Sequence, residues 1–98
     1  MSEKAITRTE LRKILANKTE EDFIKVINTF PVRPHKKNEY HFIEYQGNRY
    51  LNKDIIRELT KPDRQDGRDI PGGTECAKEL NLFIKDKKCK KIKYVFLF

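Results

Sequence analysis

The sequence has no long apolar run: no segment approaches the roughly 20 consecutive apolar residues that a bilayer-crossing helix needs. Its polar start, Met1-Ser2-Glu3-Lys4, lacks the apolar stretch of a secretory signal, so a cytoplasmic location is expected. Cysteine is scarce, and Cys76 and Cys89 are too few for a disulfide framework. They are read as reduced thiols. Together with His35 and His41 they lack the short paired spacings of a zinc site, so neither a metal nor another cofactor is expected. There is no internal repeat and, apart from lysine, no low-complexity tract. A length of 98 residues allows one modest core but not separate catalytic and binding domains, and residues 1–98 are read as a single domain.

What the chain has in excess is positive charge. Its 22 Lys and Arg outnumber 15 Asp and Glu, a net charge of +7 that favours a polyanionic partner. The excess is uneven. Residues 1–30 carry six basic and five acidic groups, whereas Lys85 to Lys93 holds six lysines against the single Asp86.

Hydrophobic spacing divides the chain into elements. Leu11, Ile14 and Leu15 after Thr9 predict a short amphipathic helix near residues 9–16, with the Thr9 hydroxyl as its cap. Thr19-Glu20-Glu21-Asp22 reads as a second helix start, with Phe23, Ile24, Ile27 and Phe30 on one broad face and Pro31 and Pro34 ending it. After a basic loop, Tyr40 to Gln46 and Arg49 to Asn52 predict a hairpin about a Gly47-Asn48 turn. Ile55, Ile56 and Leu59 continue as a third helix, and Thr60 to Gly73, with two Pro and three Gly, reads as a long exposed loop. Gly73 or Thr74 would cap a fourth helix that Asn81 stops in a left-handed conformation. Leu82-Phe83-Ile84 and Ile92 to Leu97 would then pair across a lysine-rich turn, making residues 85–98 a basic C-terminal hairpin extension. The expected class is α+β, in the order α-α-β-β-α-α-β-β, with helices packed on a small, mostly antiparallel sheet.

The hairpin delivers Lys53 to the point where strand gives way to helix, and backbone donors beside a cation suit a phosphate. Arg49 and Arg57 flank it, position 57 lying one helical turn further on. Gly72-Gly73-Thr74 offers free amides at the next helix start. Arg64 and Arg68 on the long loop are expected to reach into a groove. Arg33, His35, Lys36 and Lys37 in the first loop, and Lys87, Lys88, Lys90 and Lys91 in the last turn, are each able to follow a backbone. Each of these clusters also has a plainer reading, as solvated surface charge or protection of a strand edge. Tyr40, Tyr45, Tyr50 and Tyr94 are candidates for stacking on an extruded or single-stranded base, against the ordinary alternative of core packing.

Gln46-Gly47-Asn48-Arg49-Tyr50-Leu51-Asn52-Lys53-Asp54-Ile55, then Ile70-Pro71-Gly72-Gly73, then Leu80-Asn81-Leu82-Phe83-Ile84 follow one another in the order of a known pattern. Over roughly Ile6 to Ile84 the chain resembles the N-terminal domain of McrA-type, modification-dependent (type IV) HNH restriction endonucleases. That family carries segments of the form dGrrYpsKai, fsGG and LGFeV. The resemblance implies a DNA-associated module of a restriction or antiphage system, engaging duplex DNA and a candidate sensor of modified DNA, with chemistry in a separate HNH domain or subunit. Here Asn81 stands in place of the usual Gly, and a basic segment follows the last matched strand.

The resulting expectation is a non-catalytic DNA-binding module whose site comprises Arg33, Lys36, Lys37, Arg49, Tyr50, Lys53, Arg57, Arg64, Arg68, Gly72, Gly73 and Thr74. A protein-interaction or dimerisation module, docking through the C-terminal strand, is the first alternative. A small RNase or nuclease toxin is the second. Its candidate parts are Asp63 and Asp86 with Lys87 and Lys88 as a metal-dependent nuclease pattern, or His35 and His41 as acid and base. Asp86 in an exposed turn and His41 without a Cys or Ser partner weaken both.

Overall fold

The computed structural model, which describes residues 5–32, 34 and 36–97, opens with two helices set by reciprocal capping boxes. Helix α1 spans Arg8–Ala16 and α2 spans Glu20–Ile27. Thr7, not the expected Thr9, caps α1: its hydroxyl accepts from the Glu10 amide at 3.1 Å, and the Glu10 carboxylate accepts from the Thr7 amide at 2.9 Å. Thr9 lies inside the first turn, past the position from which a hydroxyl can turn back onto the unpaired amides of a helix start. Thr19 and Asp22 repeat the device at α2, as the spacing predicts.

Strands β1 (His41–Tyr45) and β2 (Asn48–Leu51) form the expected hairpin, but its turn is Gln46-Gly47 and not Gly47-Asn48. Both turn residues have positive φ, 52° and 81°, the backbone that matches strand twist in a two-residue loop. Tyr45 therefore pairs with Asn48 and Ile43 with Tyr50. A one-residue slip would turn every β2 side chain to the opposite face.

Helix α3 (Asn52–Thr60) follows β2 without a loop. The segment after it is not an open loop. It folds through two 3-10 turns, Lys61–Asp63 and Gln65–Gly67, and ends on buried Ile70 and Pro71. Helix α4 (Gly73–Lys87) then runs straight through the expected stop. Asn81 is helical and donates its amide to the Ala77 carbonyl, while Cys76, Ala77, Leu80 and Phe83 bury one continuous face. Leu82-Phe83-Ile84 is thus helix, and residues 85–98 do not form a hairpin. The left-handed stop falls at Lys88, with φ 53° and ψ 48°.

The last strand, β3 (Ile92–Phe96), pairs antiparallel with β1, giving the sheet order β2-β1-β3. The α+β class with an antiparallel sheet is as expected, with three strands in place of four. Ile43 and Ile92, fully buried, mark the sheet face against which α3 and α4 pack. Helices α1 and α2 form an outer layer, α1 on α4 and α2 on α3. Phe23 and Phe83 meet in this core with ring centroids 4.7 Å apart. Glu79 joins α4 to α1: 1% exposed, it accepts from Arg8 and from both Nε and Nη2 of Arg12, each at 2.9 Å. No helix among the described residues is long and apolar enough to cross a membrane.

Candidate nucleic-acid interface

The direct passage from β2 into α3 places two helix starts beside one another. Leu51 caps α3 and Gly72 caps α4, and neither supplies a side-chain hydrogen bond to the first-turn amides. Leu51, Lys53 and Gly73 line a cavity of about 230 Å³, together with Asn38, Glu39, Tyr40 and His41. Two of the segments expected to hold a phosphate, Lys53 and Gly72-Gly73-Thr74, therefore meet, although 19 positions separate Lys53 from Gly72 in the chain. Gly72 and Gly73 supply backbone to the site, while exposed Thr74 sits in the first turn of α4 and caps nothing.

Lys53 is half-buried and has no ion-pair partner within salt-bridge distance among the described residues, although its charge helps to lower the Asp69 carboxyl. Lys36 and Lys37 are exposed in the connection that borders the cavity. The Lys36 amide donates to the Glu39 carboxylate at 2.9 Å, and the Glu39 amide to the Lys36 carbonyl at 3.2 Å, which closes that turn. Glu39 and Lys53 bring one charge of each sign to the cavity wall, and Asp69 lies within electrostatic reach of Lys53.

The sequence suggests His41 only as a nuclease acid or base; the fold gives it a different setting. Its Nδ1 lies 2.6 Å from the Tyr94 hydroxyl, and the rings stack at 23° with centroids 6.0 Å apart. Its Cδ2 edge abuts the start of α4, 3.6 Å from where a Cβ on Gly73 would stand. His41 Nδ1 and the Tyr94 hydroxyl share one hydrogen bond, and the imidazole tautomer sets which of them donates. Tyr94 is out of reach of His41 unless β3 pairs with β1, so no sequence spacing announces the contact.

The other expected site residues are placed elsewhere or already engaged. Arg57 donates to Asp69 at 3.1 Å and lies 3.6 Å from Asp54, so it does not extend the Lys53 surface. That bond from Arg57 holds the Asp69 carboxyl below its usual range. Arg64 turns inward and donates to the Thr60 hydroxyl and to the carbonyls of Arg57 and Arg68. Arg68 donates to the Ala5 carbonyl at 3.0 Å and sits 3.6 Å from Glu10. Neither Arg64 nor Arg68 is a free arm, because a guanidinium fork is the group best able to satisfy several carbonyls of an irregular segment. Arg49 is exposed on the sheet face turned away from the helices, opposite Glu44 in register, and Tyr50 packs against the core. Arg33 and His35 lie outside the described residues.

The C-terminal lysines make a separate surface. Lys90, Lys91 and Lys93 border an open recess of about 520 Å³ with Glu44 and the Gln46-Gly47 turn, at the opposite end of β1 from Lys53. Lys91 is paired with Glu21 at 3.2 Å, and Glu20 accepts from the amides of Lys91 and Ile92. Lys87 donates to the Ala16 carbonyl, and Lys88 supplies the stop of α4.

Groups that would support covalent or metal chemistry are dispersed. Burial pushes the thiols of Cys76 and Cys89 up to about 11, and Cys76 donates to the Pro71 carbonyl. Among the described residues no three His, Cys, Asp or Glu side chains converge as metal ligands. Asp63 pairs with Lys18 at 2.7 Å, while Asp86 lies on α4 at the α1 groove, so the two carboxylates of the nuclease pattern do not share a site. No protein-family model, curated protein or solved structure matches this chain.

Proposed function

We propose that this chain is a non-catalytic DNA-binding module of a restriction or antiphage system, gripping the phosphate backbone at the Lys53 cavity. The observation that carries the reading is the convergence of an unpaired lysine and two uncapped helix starts on one cavity. A phosphate there would receive main-chain donors, a cation and the positive ends of two helix dipoles. The resemblance to McrA-type N-terminal domains supports the same reading, since Lys53 of its Tyr50-x-x-Lys53 step and Gly73 of its Gly72-Gly73 pair line this cavity. Cleavage would belong to a separate HNH domain or subunit.

Fluorescence anisotropy with labelled plain and cytosine-modified duplex DNA, across a salt series, tests the proposal. Lys53→Ala should weaken binding to every sequence and reduce the slope of log affinity against log salt by about one. Lys25→Ala, which removes an equal charge from α2, should change binding far less. Equal effects of the two substitutions would reduce the cavity to general electrostatic attraction.

A second reading rests on β3, which forms one edge of the sheet and carries half-exposed Phe96. Such an edge accepts another strand, from a partner or a second copy. Mass that rises with concentration and is insensitive to salt in light scattering would favour it.

A further inference from the structure

We infer that the aromatic surface beside the cavity, formed by Tyr40 and Phe96, is a stacking subsite for one unstacked base of DNA whose phosphate occupies the Lys53 cavity. The inference rests on the DNA-binding reading and adds what the site takes hold of.

Tyr40 and Phe96 are 40% and 50% exposed, two of four large hydrophobic residues so placed among the described residues. Their ring centroids are 6.3 Å apart at 39°, and His41 continues the surface 5.3 Å from Phe96. The surface is held rather than draped. The Leu97 amide donates to the Tyr40 carbonyl at 2.8 Å, His41 and Phe96 are register partners, and Tyr94 fixes the imidazole.

Two features specify the occupant. Tyr40 belongs both to the cavity wall and to the aromatic surface, so adjoining phosphate and base groups would meet both parts. Lys53 lines the cavity wall that Tyr40 shares, and a cation there suits a ring attached to a phosphate better than an uncharged apolar segment. Bases within a duplex present edges to a protein, not faces. An exposed ring surface therefore gains contact from a single strand or from a base extruded from a duplex.

The test compares a labelled single-stranded oligonucleotide with the same strand carrying abasic sugars throughout, which keeps its phosphates and loses its bases. The intact strand should bind more tightly, and Phe96→Ala should weaken it on the order of tenfold while leaving the abasic strand unchanged. Tyr40→Ala should act in the same direction. Thermal melting checks that each variant is folded, and Phe96→Leu retains apolar bulk without the ring. Equal binding of intact and abasic strands, or no effect of Phe96→Ala on a folded protein, would overturn the inference while Lys53→Ala still weakens binding to both strands. Loss of that Lys53 effect would instead defeat the phosphate reading beneath it. A duplex with one bulged base that binds like the single strand would support the extruded-base form.

Discussion

Replacing Glu79 with Gln should cost about 2 kcal/mol, because a buried carboxylate that accepts three charged hydrogen bonds becomes an amide able to satisfy few of them. Charged hydrogen bonds contribute roughly 1.5–3 kcal/mol each, and leaving a buried partner unmatched adds desolvation. The low end applies here because the side chains of Arg8 and Arg12 are 33% and 56% exposed and water can replace what they lose. For a chain of this size such a change lowers Tm by about 8–16 °C. Urea unfolding followed by circular dichroism would measure it. A change below about 0.5 kcal/mol, the ordinary range of a surface substitution, would refute the assigned role. The pH dependence is a second check. Hydrogen bonds from Arg12, then Arg8, hold the Glu79 carboxyl below its usual range in the folded protein. Its contribution is therefore complete above the unfolded pKa of about 4.3 and is lost as pH falls through the lower folded value. The stability difference between native protein and Glu79→Gln should shrink as pH falls below about 5. Subtracting the variant removes the similar background of Glu10, Asp22 and Asp69, whose carboxyls are also lowered. A difference that stayed level over that range would contradict the mechanism.

Lys88→Gly should raise stability by up to about 1 kcal/mol, since Lys88 ends α4 in a left-handed conformation that costs a side-chain-bearing residue roughly that much; chemical denaturation would show the shift in midpoint. Both thiols should resist iodoacetamide near pH 8 in the native protein, because burial raises them to about 11 and leaves little thiolate; rapid native-state alkylation followed by mass spectrometry would contradict this. Arg64→Ala should destabilise the protein by about 1–2 kcal/mol by freeing the carbonyls that the guanidinium satisfies. The same variant should bind DNA with a salt slope reduced by less than that of Lys53→Ala, and an equal reduction would return Arg64 to the interface.

The elements that the sequence predicts well are those decided by local chemistry. Thr19 with Asp22, the alternation through His41–Tyr45 and the apolar spacing of Ile55, Ile56 and Leu59 each specify their own structure. The strand expected at Leu82-Phe83-Ile84 depends on giving Asn81 the weight of a stop. Cys76, Ala77, Leu80, Phe83 and Ile84 already keep helical spacing across it, and Asn81 merely bonds back to Ala77. More than a helix end is lost with that error, because it assigns β3 to the wrong partner. Without β3 beside β1, neither the His41–Tyr94 contact nor the Tyr40–Phe96 surface has any signature in residue order. Lys53 and Gly72-Gly73 are legible as separate phosphate-type signals, whereas their meeting at one cavity is a property of α3 and α4 packing side by side.

The fold also divides the two basic residue types between structure and surface. Arg8 and Arg12 hold Glu79, Arg57 holds Asp69, Arg64 satisfies carbonyls, and Arg68 engages Ala5 and Glu10. Planar forks with several donors suit such fixed geometry, whereas a lysine is a mobile point charge. Lys36, Lys37, Lys53, Lys90 and Lys93 have no ion-pair partner among the described residues, so the available field comes largely from lysine. Bidentate reading of guanine in the major groove is characteristically the work of arginine, and the remaining arginine with an exposed, unpaired head among the described residues is Arg49, across the sheet from the Lys53 cavity. On the DNA-binding proposal, an interface built this way would bind backbone without reading base edges. Discrimination among DNA targets would then have to come from the aromatic surface, which responds to whether a base is unstacked and not to the pattern along its edge. On that argument the protein should prefer gapped, bulged or single-stranded DNA over any particular duplex sequence, and a sequence-specific duplex preference that survives high salt would overturn it.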